Sequence, residues 1–467
     1  MSANRRADVL VIGAGPGGYV AAIRLAQLGT KVLVVEKARV GGICLNWGCI
    51  PVKSLLHAAA TVRNAAEARR LGIVYNQPEI DMQALFGWKS RVVDRLVRGV
   101  EFLFRSNGVE LARGEARFVD PRTVAVRLPD GKEELVSAET VVIATGSKSA
   151  VIPGFEPDGT AVVDSTGMLQ LVEVPKQLTV IGAGAIGLEF ATIFRRLGSD
   201  VTVLEMMPQI LPGMDPDVAA TLKKVMESEG VKFHTGVKVT GSDRSAGLKV
   251  TFLAGDAESS VEADTVLVAV GRRPFTNGLD LDKAGVATDE RGFITVDQRY
   301  RTSAAHVFAI GDVKSGPQLA HKAMAEGIAL AESLSGNRPW RFKAIPACVY
   351  TDPEVAAVGL SEAEAAKQGL KVKVSRVPLT AVGRSLTLGR GDGLCKMVVD
   401  EVTDKVLGVH MAAPEADALI AEACVAVELG LTAAQLGRVV HAHPTMSELL
   451  FEAAEAIHGK AVHIVNR

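Results

Sequence analysis

Val11-Ile12-Gly13-Ala14-Gly15-Pro16-Gly17-Gly18 is the stretch on which the reading of the fold turns. It follows a short apolar run, Ala7–Ile12, and opens a helical pattern from Tyr19 to about Gly29; Lys31–Glu36 then reads as a second strand. Gly13, Gly15 and Gly18, between a strand and a helix, let the backbone turn tightly and approach a pyrophosphate at the helix N-terminus. Glu36, an acid ending the next strand, can accept from a ribose hydroxyl. The pattern begins again at Gln177: Leu178–Ile181, then Gly182-Ala183-Gly184-Ala185-Ile186-Gly187, a helix to about Gly198, and Asp200–Glu205. Gly182 lies as far from Glu205 as Gly13 does from Glu36. One such loop is weak evidence of a nucleotide site. Two in matched context predict a duplicated domain and two dinucleotide sites.

The surroundings agree. At roughly 100–200 residues per domain, 467 residues suggest about three domains. With 52 Lys+Arg against 53 Asp+Glu and no basic block, the chain is not expected to bind nucleic acid. Its longest early uncharged run, Val9 to Ile23, is broken by glycines and falls short of ~18 apolar residues, so no membrane span is expected. Arg5 and Arg6 precede that run, but no small-residue cleavage site follows a clean apolar core. A cytoplasmic address is expected, where paired cysteines are more often catalytic or metal-binding than structural.

Helical stretches are expected near Cys49–Leu71 and Ile80–Asn107, and strands at Glu115–Phe118, Thr123–Val126, Glu134–Val136 and Thr140–Ala144. The second copy ends in strands Leu248–Leu253 and Val261–Ala269. Beyond Ile345-Pro346, strands Lys371–Val377, Lys396–Val399 and Val406–Met411 precede helices Ala416–Leu429 and Thr432–Val439. The expected fold class is α/β: two Rossmann-like dinucleotide-binding domains plus an α+β C-terminal domain.

Glu205 is followed by Met206-Met207-Pro208-Gln209, with no arginine placed to meet a 2′-phosphate, so the second site favours NAD(H) over NADP(H). Cys44 and Cys49 are five positions apart, which on a regular helix means about 140° of rotation and a rise of ~7.5 Å, too far to bridge. A bend at Asn46 and Gly48, with a helix starting near Cys49 and Pro51 in its first turn, would bring them together. A thiol at such a helix N-terminus ionises more readily. As a structural staple the small ring would contribute only about 2 kcal/mol, so a redox-active pair is preferred to inert thiols. No second Cys/His pair has zinc spacing, so no metal is expected. Cys348, Cys395 and Cys424 read as buried small hydrophobes. His443 and Glu448 could form a base and its orienting acid if the chain turns at Pro444 and a helix begins near Ser447. Taken alone, that pair reads more often as surface or capping chemistry. His57, His234, His306, His410, His458 and His463 are given no role.

Together these residues resemble the pyridine-nucleotide disulfide oxidoreductases. The match runs through Val11–Gly18, Gly41–Lys53, Ala144–Gly146, Val180–Glu189, Val270–Pro274, Ala309–Asp312, Val349–Gly359 and His441–Glu448. The resemblance implies that Gly13, Gly15, Gly18 and Glu36 hold the ADP part of FAD, that Gly311-Asp312 reaches its flavin side, and that Leu319-Ala320-His321-Lys322 runs beside the flavin. Thr145, Gly146 and Gly271 belong to the same cofactor-binding set. Gly182, Gly184, Gly187 and Glu205 are implied to hold NAD. Cys49 is implied to lie next to the flavin, Cys44 to exchange with substrate, and Lys53 to lie near the ring with Glu189 as partner. His443 and Glu448 are implied to come from the opposite subunit of a homodimer. The corresponding domains are 1–150 (FAD-binding), 151–272 (NAD-binding), 273–344 (central) and 345–467 (dimer interface).

The implied reaction oxidises a protein-bound dihydrolipoyl group to its disulfide with reduction of NAD+. It would serve the lipoyl domain and acyltransferase core of a 2-oxo-acid dehydrogenase complex, or glycine cleavage. Two residues depart from the family pattern: Val52 replaces a usual hydroxyl residue and Trp47 a smaller one. A reductase acting on another disulfide or oxidant, and a non-catalytic binding module, are the competing readings. The first is opposed by Glu205-Met206-Met207 and by a tail, Ala461–Arg467, without a cysteine pair; the second is opposed by Cys44, Cys49, His443 and Glu448 together.

Overall fold

The computed structural model describes residues 5–76, 78–245, 247–337 and 341–466. Residues 1–4 of the predicted FAD-binding domain, 338–340 of the central one and Arg467 of the tail therefore lie outside the described residues. Along the chain run β1 (Arg5–Ile12), α1 (Pro16–Gln27), β2 (Val32–Glu36), α2 (Gly42–Trp47), α3 (Cys49–Glu67), α4 (Met82–Ser106), β3 (Glu110–Arg113), β4 (Glu115–Asp120), β5 (Thr123–Arg127), β6 (Glu133–Ile143) and β7 (Ser147–Ser149). Then come β8 (Val162–Val163), α5 (Ser165–Met168), β9 (Gln177–Ile181), α6 (Ala185–Leu197), β10 (Asp200–Glu205), α7 (Pro216–Ser228), β11 (Lys232–Thr235), β12 (Val237–Asp243), β13 (Leu248–Ala254), β14 (Ala257–Ala263), β15 (Thr265–Val268), β16 (Arg272–Pro274), β17 (Val307–Ala309) and α8 (Ala320–Leu334). The last part holds β18 (Ala347–Val349), β19 (Glu354–Gly359), α9 (Glu362–Lys367), β20 (Val372–Pro378), α10 (Gly383–Thr387), β21 (Leu394–Asp400), β22 (Val406–Ala413), α11 (Ala416–Leu429), α12 (Ala433–Leu436) and α13 (Glu448–Ala456).

The chain divides into two units. The first comprises Met1–Leu55, Asp81–Ala150 and Gly271–Arg341. Its parallel strands lie in the order β3-β2-β1-β6, with β17 pairing parallel to the end of β6; β5 and β4 continue antiparallel from the start of β6. Successive strand side chains point to opposite faces. Leu10 and Ile12 thus join Leu33 and Val35 in one core, while Val9 and Val11 join Val32 and Val34 in another. Val9–Ile12 is covered on both faces and apolar throughout, which is why that part of β1 reads as a continuous run. Residues of the predicted central domain add β17 to this sheet and Ile294 and Val313 to its core.

The second unit comprises Leu56–Ile80, Val151–Val270 and Phe342–Arg467. Its parallel sheet runs β11-β10-β9-β15-β8, and a separate meander, β12-β13-β14, stands in the place that β4-β5-β6 take in the first. The C-terminal part is an antiparallel sheet, β18-β19-β22-β21-β20, whose core includes Val377, Met397 and Met411 with Leu419 of α11 and Leu449 of α13. Two ion clusters tie this unit together. Buried Lys396 meets Asp215, Asp217 and Glu362 at 2.8–2.9 Å, and Asp352 meets Arg63, Arg196 and Arg390. Burial pulls the Lys396 ammonium down, but its three carboxylates outweigh that and hold it above its ordinary value. Among the described residues no helix is long and apolar enough to cross a membrane.

Candidate active site

The two glycine loops adopt one geometry. Gly13 has φ +99° and Gly182 φ +104°, a region L-residues rarely enter; a Cβ on either would lie 2.5 Å from a backbone carbonyl just past a strand end, that of Ala144 or Ala269. A Cβ on Gly18 or Gly187 would run into the carbonyl of Gly13 or Gly182. Gly15 and Gly184 differ: a Cβ there meets nothing within 4 Å. They are the N-caps of α1 and α6, and neither helix has a side-chain cap, whereas α7 is capped by Asp215 and α9 by Ser361. Open space beside two uncapped helix N-termini suits a pyrophosphate.

Each loop is braced by its acid. Glu36 accepts from the Ala14 amide at 2.7 Å and from Ala38 at 2.8 Å; Glu205 accepts from Ala183 at 2.6 Å and from Met207 at 2.7 Å. Both carboxylates are buried. Besides offering a ribose acceptor, each fixes its own glycine loop, with lone pairs left for a hydroxyl.

Asp312 lies in the turn after β17. Its Oδ2 accepts from Ser147 Oγ at 2.7 Å, and Ser147 Oγ accepts from Arg272 Nε at 2.7 Å. Antiparallel pairing of β7 with β16 brings those two residues together. Neither Ser147 nor Arg272 stands out from the sequence as a site residue, although Arg272 lies in the Val270–Pro274 motif. Beside them Thr145 Oγ1 donates to the Phe275 carbonyl at 2.7 Å, Gly146 accepts from the Phe275 amide, and Gly271 accepts from the Ala150 amide. Ala320 is the first residue of α8, whose start also has no side-chain cap.

Cys44 lies within α2 and Cys49 begins α3; the helices break at Gly48 (φ −147°, ψ −111°). The expected bend is therefore a junction of two helices rather than a loose turn. Asn46 secures α2 by donating to the carbonyls of Val40 and Gly42 at 3.0 and 2.9 Å. Both cysteines are half-buried thiols, and the Cys44 thiol hydrogen-bonds Cys49. That bond, then burial, pushes Cys44 well above its ordinary range, with the Lys53 charge opposing. Of the three cysteines expected to be buried, only Cys395 is; Cys348 and Cys424 are half-buried, and burial pushes Cys395 up to about 12 and Cys424 up to about 11. Val52 is buried in α3.

In the second unit, His443 Nδ1 donates to Glu448 Oε1 at 2.8 Å, and the Thr445 amide donates to Glu448 Oε2 at 2.9 Å. Glu448 begins α13, and the His443 side chain is 77% exposed. Burial raises the Glu448 carboxyl, but the bonds from His443 and Thr445 outweigh it and hold the group below the usual range. Neighbouring His441 is anchored to Glu422 and to the Val439 carbonyl, both at 2.9 Å. Lys53 lies in the first unit. Glu189 lies in the second, buried on α6, and accepts from the Tyr350 amide at 3.0 Å. Among the described residues, no group of three or more His, Cys, Asp or Glu side chains could hold a metal ion.

A fold of two dinucleotide cradles carrying a thiol pair defines the class. Residues 7–327 match the pyridine nucleotide-disulphide oxidoreductases and residues 345–454 the dimerisation domain of that family; the chain belongs to it. It is similar to the dihydrolipoyl dehydrogenase of Thermus scotoductus, 51% identical over 98% of this chain and 99% of that one. The mitochondrial dihydrolipoyl dehydrogenase of Pisum sativum is 44% identical over 98% and 92% of the two chains. Among solved structures, LpdA from Mycobacterium tuberculosis superimposes with a TM-score of 0.89 at 27% identity, covering 97% of this chain and 99% of the other. The family's cofactors are FAD and NAD(H).

Proposed function

We propose that this chain is a dihydrolipoyl dehydrogenase, oxidising protein-bound dihydrolipoamide to lipoamide with reduction of NAD+. The observation that carries this reading is the thiol pair at the α2–α3 junction, with Cys44 hydrogen-bonded to Cys49 and the Lys53 charge acting on it. Gly13, Gly15, Gly18 and Glu36, with Thr145, Gly146, Gly271, Asp312 and Ala320, are assigned to FAD. Gly182, Gly184, Gly187 and Glu205 are assigned to NAD. The fit rests on the open space at Gly15 and Gly184 and on the uncapped starts of α1 and α6. Residues 1–150 and 273–344 then serve as FAD-binding and central parts, 151–272 as the NAD-binding part and 345–467 as the dimer interface.

In the oxidised enzyme Cys44 and Cys49 form a disulfide. His443 of the partner subunit, its Nδ1–H held by Glu448, takes through Nε2 the proton of one substrate thiol. The resulting thiolate attacks Cys44 Sγ and breaks the bond to Cys49. The second substrate thiol, its proton passing to the departing Cys44 sulfur, displaces Cys44 and closes the lipoyl disulfide, so the substrate loses two electrons and the cysteine pair gains them. When bound, FAD supplies a two-electron acceptor beside the dithiol and NAD+ the final hydride acceptor. Lipoyl domains on the acyltransferase core of a 2-oxo-acid dehydrogenase complex, or on a glycine cleavage complex, are the proposed partners, in the cytoplasm.

A visible spectrum with parallel turnover assays tests the reading. A flavin spectrum bleached by dihydrolipoamide and NAD+-dependent turnover are expected. Turnover only with NADPH and glutathione disulfide would assign the chain to another reductase of the family.

A further inference from the structure

Gly311 joins β17 to the turn that carries Asp312, and charged side chains of α8 grip it from both sides. Its N–H donates to Glu326 Oε2 at 2.7 Å, and its C=O accepts from Lys322 Nζ at 3.4 Å. These groups belong to the planar peptide units before and after the Gly311 Cα, so the two contacts together set both soft dihedrals of that residue. Gly311 is held left-handed, at φ +76°. Glycine enters that region freely but leaves it as freely; the setting has to come from its surroundings.

Glu326 and Lys322 supply it. Four residues apart on α8, they share a helix face and approach to 3.5 Å, while Lys314 reaches Glu326 Oε1 at 2.7 Å. Their side chains are only 3% and 2% exposed. Charges taken this far from water are costly unless paired and hydrogen-bonded. Burial pulls the Lys322 ammonium below its ordinary value, with the Glu326 charge opposing. The oxidation described above uses neither residue.

We propose that Glu326, acting with Lys322, is a positioning residue: by fixing the Gly311 turn it sets where the Asp312 carboxylate, held on its other side by Ser147, which Arg272 in turn bonds, meets FAD. This rests on the assignment of Asp312 to the FAD site. The test is FAD binding to the apoprotein, followed by flavin fluorescence, for wild type, Asp312→Ala, Glu326→Ala, Lys322→Met and the two double variants with Asp312→Ala. Lys322→Met releases the Gly311 carbonyl but leaves the Glu326–Lys314 pair intact, so it carries the test if Glu326→Ala does not fold. Each single variant is expected to weaken FAD binding, by about tenfold for Glu326→Ala, which loses a hydrogen bond to a charged group. Each double variant is expected to bind no worse than Asp312→Ala alone, because Glu326 and Lys322 act through Asp312. Wild-type affinity in Lys322→Met and in any folded Glu326→Ala, or losses that multiply in the doubles, would overturn the positioning role. An apoprotein that takes up no FAD, or an Asp312→Ala variant that binds it unchanged, would instead overturn the FAD-site assignment and this proposal with it.

Discussion

Gly13 and Gly182 share a left-handed φ, Gly15 and Gly184 open onto space, and Glu36 and Glu205 accept from matching amides. The two halves part after the second strand. In the first, β2 leads through Gly41 and Gly42 into α2 and α3, which carry the cysteines; in the second, β10 leads past exposed Met206 and Met207 to α7. They also complete their sheets differently, the first with downstream β17 and the second with upstream β8. A nucleotide cradle is thus a backbone device, repeatable wherever the glycines recur. The cysteine pair is an addition to one copy.

The sharpest way to break this comparison is to remove the addition. Cys44→Ser is expected to lower dihydrolipoamide turnover at least about 1000-fold by removing the attacked sulfur, while FAD and NAD+ still bind. Full activity in a steady-state assay would return the first half to a plain nucleotide domain. Whether that half suffices once it has its thiols is asked by His443→Gln, expected to cost about 100- to 10,000-fold in kcat as a lost general base, with the flavin spectrum unchanged. A rate near wild type would place the base elsewhere.

The symmetry itself is tested by Gly15→Ala and Gly184→Ala. Neither position has positive φ and neither Cβ meets protein. Apoprotein melting temperatures should hold or rise slightly, since Ala restricts the unfolded chain. FAD affinity in the first variant and NAD+ affinity in the second should fall about tenfold or more, as the added methyl takes ligand space. Calorimetric titration of each ligand against both variants reads the cross-terms. The smallest effect concerns Glu448. Its carboxyl sits below the ordinary range, so its pairing with His443 is complete above that range and is lost as the pH falls through the lowered value. The stability gap between wild type and Glu448→Gln, under about 1 kcal/mol for a pair this exposed, should close as the pH drops, by chemical denaturation.

Much of this was legible in the residues. Strand β10 and helix α11 have the predicted bounds, because a strand buried from Val201 to Glu205 and a helix ending at a glycine leave little latitude. The divergences follow sheet partners. Glu134–Val136 and Thr140–Ala144 read as two strands but form one, β6, since its first half pairs with β5 and its second with β17. Val261–Ala269 read as one strand but divides between β14 in the meander and β15 in the parallel sheet. The thiol pair was visible; that Cys44 sits inside a helix was not, because Gly41 and Gly42 set that geometry through left-handed backbone.

The duplication, both glycine cradles with their acids, the cysteine pair and the His443–Glu448 spacing are local patterns in which chain separation already dictates geometry. Only the tertiary structure decided the partners of buried charge. Ser147 meets Arg272 and Asp312, Lys396 gathers three carboxylates, and Glu326 grips Gly311. Apart from Glu326 and Gly311, these partners come from distant stretches of chain. A buried charge must find counter-groups wherever the fold brings them, and no spacing along the chain announces where that is.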